Sequence, residues 1–121
     1  MSFDRNINKV VDSKADGLIE NVVRKVALDT QRDVSASTPV DTGRARSNWF
    51  VTAGRPSSQV TDAVNGSPTA ALSPTKVAFV TNNLPYIERL ENGHSGQAPS
   101  GFVGSVVRRQ VNKVREIVKQ L

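Results

Sequence analysis

From about Val10 to Ser37 the apolar residues Val11, Ala15, Leu18, Ile19, Val22, Val23, Val26, Ala27 and Val34 recur at steps of three and four. That spacing is one stripe of a long amphipathic helix. Glu20 stands four before Arg24 and Lys25 four before Asp29, but such pairs contribute only ~0.3 kcal/mol each, so the stripe holds the helix. Pro39 ends it, because the residue before a proline is driven out of the helical region. A second stripe closes the chain. After Pro99, residues Val103, Val106, Val107, Val111, Val114, Ile117, Val118 and Leu121 fall within an arc of about 140° on a wheel of 100° per residue, with Arg108, Arg115 and Lys119 opposite.

Between the helices the period changes. Ser47 to Thr52 contains Trp49, Phe50 and Val51, and Lys76 to Thr81 contains Val77, Ala78, Phe79 and Val80. Both read as short strands. Thr38 to Arg46 is a turn cluster in which Asp41 and Thr42 bond nearby amides and Gly43 takes positive φ. Residues 53–75 hold Pro56, Pro68, Pro74, Gly54, Gly66 and four serines, too long and broken for a hairpin turn. A connection of that length is usually functional or mobile, so a projecting loop is expected. Ser67-Pro68 caps a brief helix over Ala70, Ala71 and Leu72. Pro85 starts another through Glu91, stopped at Asn92-Gly93. The expected fold is α+β: a long N-terminal helix and a basic C-terminal helix packed on a small, mostly antiparallel sheet, with a long mobile loop at about 53–75.

A chain of 121 residues makes one domain, 1–121, too small to cover all its apolar surface internally. Aromatics are 5% of it, so Val, Ala, Leu and Ile build the core around Trp49 and four Phe. There are no cysteines, which removes disulfides, thiolate zinc sites and thiol nucleophiles, and fits a reducing compartment. No run of 18 apolar residues exists and Met1 to Val11 is polar, so neither a membrane span nor a secretory signal is read, and a soluble intracellular product is expected. The net charge of +5 suggests nucleic acid until it is placed along the chain. Residues 100–121 hold Arg108, Arg109, Lys113, Arg115 and Lys119 against Glu116, leaving the rest nearly neutral. Arg108, Arg115 and Lys119 are the candidates for lying near DNA, through salt-sensitive phosphate contacts. No aromatic interleaves them to stack on bases, so only nonspecific proximity to DNA is expected.

The candidate chemistry is thin. Asp41-Thr42-Gly43 is the triplet of an aspartic protease, but such an Asp needs apolar flanks that desolvate a carboxylate pair, and Pro39, Arg44 and Arg46 stand there instead. Gly-His-Ser-Gly at 93–96 lacks the glycine two places after the serine that a nucleophile elbow requires. His94 has no cysteine or second histidine for a metal. Glu88 and Glu91 share one face of a helical turn, where Glu91 reads as a capping or salt-bridging residue rather than an acid or base. No enzyme activity, metal or cofactor is expected.

Thr38-Pro39-Val40-Asp41-Thr42-Gly43-Arg44, Ser47-Asn48-Trp49, Asn82-Asn83-Leu84-Pro85-Tyr86, Leu90-Glu91-Asn92-Gly93 and His94-Ser95-Gly96-Gln97-Ala98-Pro99-Ser100-Gly101 occur in that order. Together they resemble the neck, or tail-completion, minor tail proteins of long-tailed double-stranded DNA bacteriophages, over nearly the whole chain. The resemblance implies an α+β subunit of a structural virion protein, made in the host cytoplasm and placed at the head-tail junction. It would form a homo-oligomeric ring, of six copies, joining the tail to the DNA-filled head. Its implied partners are a head-closure or connector protein and tail terminator or tube proteins, with no membrane. A connector binds by shape, so the interface candidates are Arg44, Trp49, Pro85, Tyr86, Glu91, Gln97 and Pro99. Tyr86 is the expected anchor, Gln97 the expected main-chain bonder, and Arg44 with Glu91 an expected salt bridge. The alternatives are a small DNA-binding protein using the basic helix, or another tail component such as a terminator or tube.

Overall fold

The structure, a computed structural model, describes residues 3–40, 43–67, 71–92 and 101–120, with side chains of the first helix from Lys14 onward. Helix α1 spans Phe3–Ser37, β1 Phe50–Ala53, β2 Ala78–Thr81, α2 Ile87–Glu91 and α3 Phe102–Lys119, with a 3-10 turn at Arg46–Asn48. The expected α+β arrangement is present: the long N-terminal helix α1, the C-terminal helix α3 and a two-stranded antiparallel sheet, β1 pairing β2 with Phe50 opposite Thr81 and Ala53 opposite Ala78. Two short strands alone are marginal in water. Here α1 packs against both strands and along α3.

α1 begins seven residues before the expected Val10 because no proline or glycine interrupts residues 3–9. Its C-terminus is finished by Arg46, whose Nη2 donates to the carbonyls of Ala36 and Thr38 at 3.2 Å each, groups that the helix itself leaves unbonded. Val34, Trp49, Phe102 and Val106 form the core, with Val80, Ile87, Leu90 and Val103 packed around them. Burying each of those four side chains contributes about 1.5–3 kcal/mol.

Strand β1 starts later than expected. Ser47 Oγ donates back to the Gly43 carbonyl at 2.7 Å and Asn48 Nδ2 to the Arg44 carbonyl at 2.7 Å, and such local bonds hold the chain in turns instead of a ladder. β2 also starts later, because Thr75 Oγ1 closes a turn with Val77 and Lys76 reaches Asp16 at 2.8 Å. Leu72 is buried, but Ala71 to Ser73 are not helical. The rest of the expected helix at 70–72 lies outside the described residues.

The 53–75 connection is irregular, as its composition implies, but it does not project. Thr61 N donates to Asn48 Oδ1 at 2.9 Å, and the Thr61 carbonyl accepts from Asn48 Nδ2 at 2.9 Å. Gly66 N donates to Ser47 Oγ at 2.8 Å and Ser67 Oγ to the Arg46 carbonyl at 2.7 Å. Farther out, Asn83 Nδ2 donates to the carbonyls of Ser57 and Gln59. Polar residues that looked like an exposed arm are the atoms that tie it down. Gly43, at φ +84°, sits so close under this strap that a Cβ would lie 2.3 Å from the Val64 carbonyl oxygen, so only glycine fits.

Candidate functional site

The segments that stood apart in the chain meet around Trp49. The residue is buried, and its Nε1 donates to Thr38 Oγ1 at 2.8 Å while its carbonyl accepts from Gln31 Nε2 at 2.9 Å. Thr38 Oγ1 donates onward to the Val34 carbonyl at 2.6 Å. Asn82 Nδ2 donates to the Ala45 carbonyl at 3.0 Å, and Asn82 Oδ1 accepts from Leu84 N at 3.2 Å. These bonds turn the chain into the Pro85-Tyr86 corner, where the Tyr86 carbonyl accepts from Leu90 N as α2 begins. Trp49, Asn82, Ile87, Glu88, Glu91 and Val103 line a cavity of about 200 Å³ on this side.

Glu91 closes the assembly. α3 starts at Gly101, in the left-handed region with φ 81° and with no side chain to cap the helix. Glu91 supplies what is missing from ten residues upstream: its Oε1 accepts from Val103 N at 3.1 Å and its Oε2 from Gly104 N at 3.0 Å. The same residue's carbonyl accepts from Gly101 N at 2.7 Å. A carboxylate at a helix N-terminus satisfies orphan donors and complements the dipole. Glu91 is therefore clasped to the start of α3 through both its carboxylate and its carbonyl.

Several expected roles change. Trp49 is core, not contact surface, because its ring is enclosed by Val34, Phe102 and Val106. The expected Arg44–Glu91 bridge is displaced: Arg44 Nη2 lies 3.3 Å from Asp62 Oδ1 and its Nε donates to the Thr61 carbonyl at 3.5 Å, while Glu91 faces α3. Pro85 is exposed and Tyr86 half-buried, placing both at the edge of the body. Gln97, Pro99, His94, Asp41 and Thr42 lie outside the described residues.

On α3, Arg108, Arg115 and Lys119 are exposed. Arg108 donates to Ser105 Oγ at 3.2 Å and Lys119 lies 3.2 Å from Glu116. Arg109 is drawn instead into a pair that reading the sequence missed, its Nη2 2.8 Å from Asp33 Oδ1 and its Nε 3.2 Å from Asp33 Oδ2. Gln110 Nε2 donates to the same Oδ2 at 3.3 Å. These donors, Arg109 first, hold the Asp33 carboxyl below its ordinary pKa against a partial opposing effect of burial, and Asp33 in turn raises that of Arg109. Helical spacing puts Asp33 within the α1 stripe, between the angular positions of Val22 and Val26, but only the packing of α3 reveals its partner. A groove of about 410 Å³ runs beside this pair, lined by Lys25, Arg109, Lys113 and Ile117 among others.

Among the described residues, no group of three His, Cys, Asp or Glu gathers as a metal ion would require, and no helix is long and apolar enough to cross a membrane. Nothing matches this chain among protein-family models, curated proteins or solved structures.

Proposed function

We propose that this protein is a structural virion component of the head-tail junction, a neck or tail-completion subunit that assembles as a ring and joins a tail to a DNA-filled head. What supports the reading most directly is the Glu91 clasp: the Leu90-Glu91 segment is bonded to Gly101, Val103 and Gly104 at the start of α3. A body with a tied loop and a corner at which Pro85 is exposed and Tyr86 half-buried suits recognition by shape, in which pre-ordered loops lose little entropy on docking. The polar side chains of the motifs bond main chain and cap helices, which is the work of a scaffold. Neighbouring copies and the head-closure and tail-terminator or tube proteins are the partners this reading names.

Electron microscopy of particles assembled without the protein tests it. Full heads and finished tails lying separate are the expected result, and joined, infectious particles would overturn the proposal. Tyr86→Ala, at the half-buried corner, is expected to leave a folded protein that no longer completes particles. If absent tails were seen instead, the protein would belong to the tube or terminator.

A further inference from the structure

The exposed valines of α3 form a line. Val107, Val111, Val114 and Val118 follow at steps of four, three and four, which on a helix is one narrow seam. Val107, Val111 and Val118 are 48%, 43% and 57% exposed, and Val114 is half-buried. The seam runs beside the face that meets α1, where Val106 and Gln110 are buried. Arg108, Arg115 and Lys119, all exposed, border its outer edge.

α1 carries a second uncovered patch. α3 runs back along α1 from the Asp33 pair as far as Lys25, which shares a groove with Glu116 and Ile117 in its last turns. From there α1 continues to Phe3, about 30 Å at ~1.5 Å per residue. On this overhang Leu18 is 52% and Ile19 47% exposed, with Ala15 exposed beside them. Asp16, which also holds Lys76, and Glu20 flank this patch on the Ile19 side, and exposed Lys14 on the Leu18 side.

We infer that these are the two halves of one contact between copies: the α1 overhang of one copy lies along the α3 seam of the next. The inference rests on reading the protein as a ring component and names the surface that makes the ring. The seam spans about 16 Å from Val107 to Val118, within the length of the overhang. The Asp16–Glu20 side of the α1 patch complements the basic edge of α3. Two copies joined α3 to α3 in antiparallel, with the seams in register, would instead bring Arg108 of each copy towards Arg115 of the other, a like-charge contact that is strongly disfavoured. A contact between two different patches leaves one of each open on every dimer, so it propagates until rotation closes a ring.

The absence of cysteine from the chain gives a direct test. Leu18→Cys and Val111→Cys proteins, at several hundred micromolar, are treated with a short bis-maleimide. Each variant alone should remain a single chain on a denaturing gel, their mixture should give a dimer, and the double variant should give a ladder ending at a closed ring. Circular dichroism checks that all three fold, and pairing Leu18→Cys with Arg55→Cys, on the loop after β1, should give no product. Dimers from Val111→Cys alone, or no product from the mixture, would overturn the inference. The joining role is judged separately: unjoined heads and tails without a cross-linked mixture would leave that role and remove this surface. A ladder with normally joined particles in the protein's absence would do the reverse.

Discussion

The indole N–H of Trp49 donates to the hydroxyl of Thr38 at 2.8 Å, across eleven residues of chain and inside the core. This bond ties the end of α1 to the start of β1 and makes the turn between them part of the core. Its consequence is that the Thr-Pro-Val and Ser-Asn-Trp segments act as one structural unit.

Thr38→Val keeps the shape of the side chain but leaves the buried Trp49 N–H without an acceptor. A loss of about 2 kcal/mol is expected, since an unpaired buried donor costs about 1–3 kcal/mol. Thr38→Ser, which retains the hydroxyl, should lose less than half as much. Urea unfolding followed by Trp49 fluorescence measures both.

Asn48 is fully buried and makes three bonds, two as donor to the Arg44 and Thr61 carbonyls and one as acceptor from Thr61 N. Asn48→Asp turns the two donations into repulsion between a carboxylate and two carbonyl oxygens. A destabilisation of about 3 kcal/mol or more is expected, from unpaired carbonyls and a buried charge. Limited proteolysis should then cut first within 55–67, and a cleavage pattern identical to the parent's would show that Asn48 does not hold the loop.

Glu91→Gln retains one acceptor for the α3 amides but removes the charge at the helix N-terminus, and about 1 kcal/mol should be lost. Glu91→Ala removes both acceptors and should lose about 2 kcal/mol. Hydrogen exchange at Val103 and Gly104 should accelerate in the alanine variant before exchange in the middle of α3 does; unchanged protection there would reject the cap.

Asp33 has a lowered pKa in the folded chain, chiefly because Arg109 donates to it. Its unfolded value is ordinary, about 3.9. The carboxylate therefore contributes stability that is present above that value and is lost as pH falls through the folded pKa. Asp33→Asn should unfold more easily near neutrality, by about 1 kcal/mol. The difference from the parent should shrink below about pH 4, and a gap that stays constant from pH 7 to pH 3 would contradict the assignment.

The two helices were legible because a stripe at steps of three and four needs only local geometry to be recognised, and the strands because β-branched and aromatic residues cluster between turn residues. Glu91 as a capping residue was legible for the same local reason. The partner of each polar group was not. Pairs eleven to 77 residues apart, such as Trp49 with Thr38, Glu91 with Val103 and Gln110 with Asp33, depend on how the helices and sheet stack.

The 53–75 segment shows the same limit from the other side. Its serines, prolines and glycines fit an exposed arm, and nothing local distinguishes a serine facing water from Ser67 bonding the Arg46 carbonyl. By itself, then, the chain's pattern determined that two helices and two strands form and roughly where, but not their ends. Tertiary structure alone decided that Trp49 lies inside, that Arg44 meets Asp62 instead of Glu91, and which valines remain outside. Periodicity is a property of neighbours in sequence, whereas burial and pairing are properties of neighbours in space.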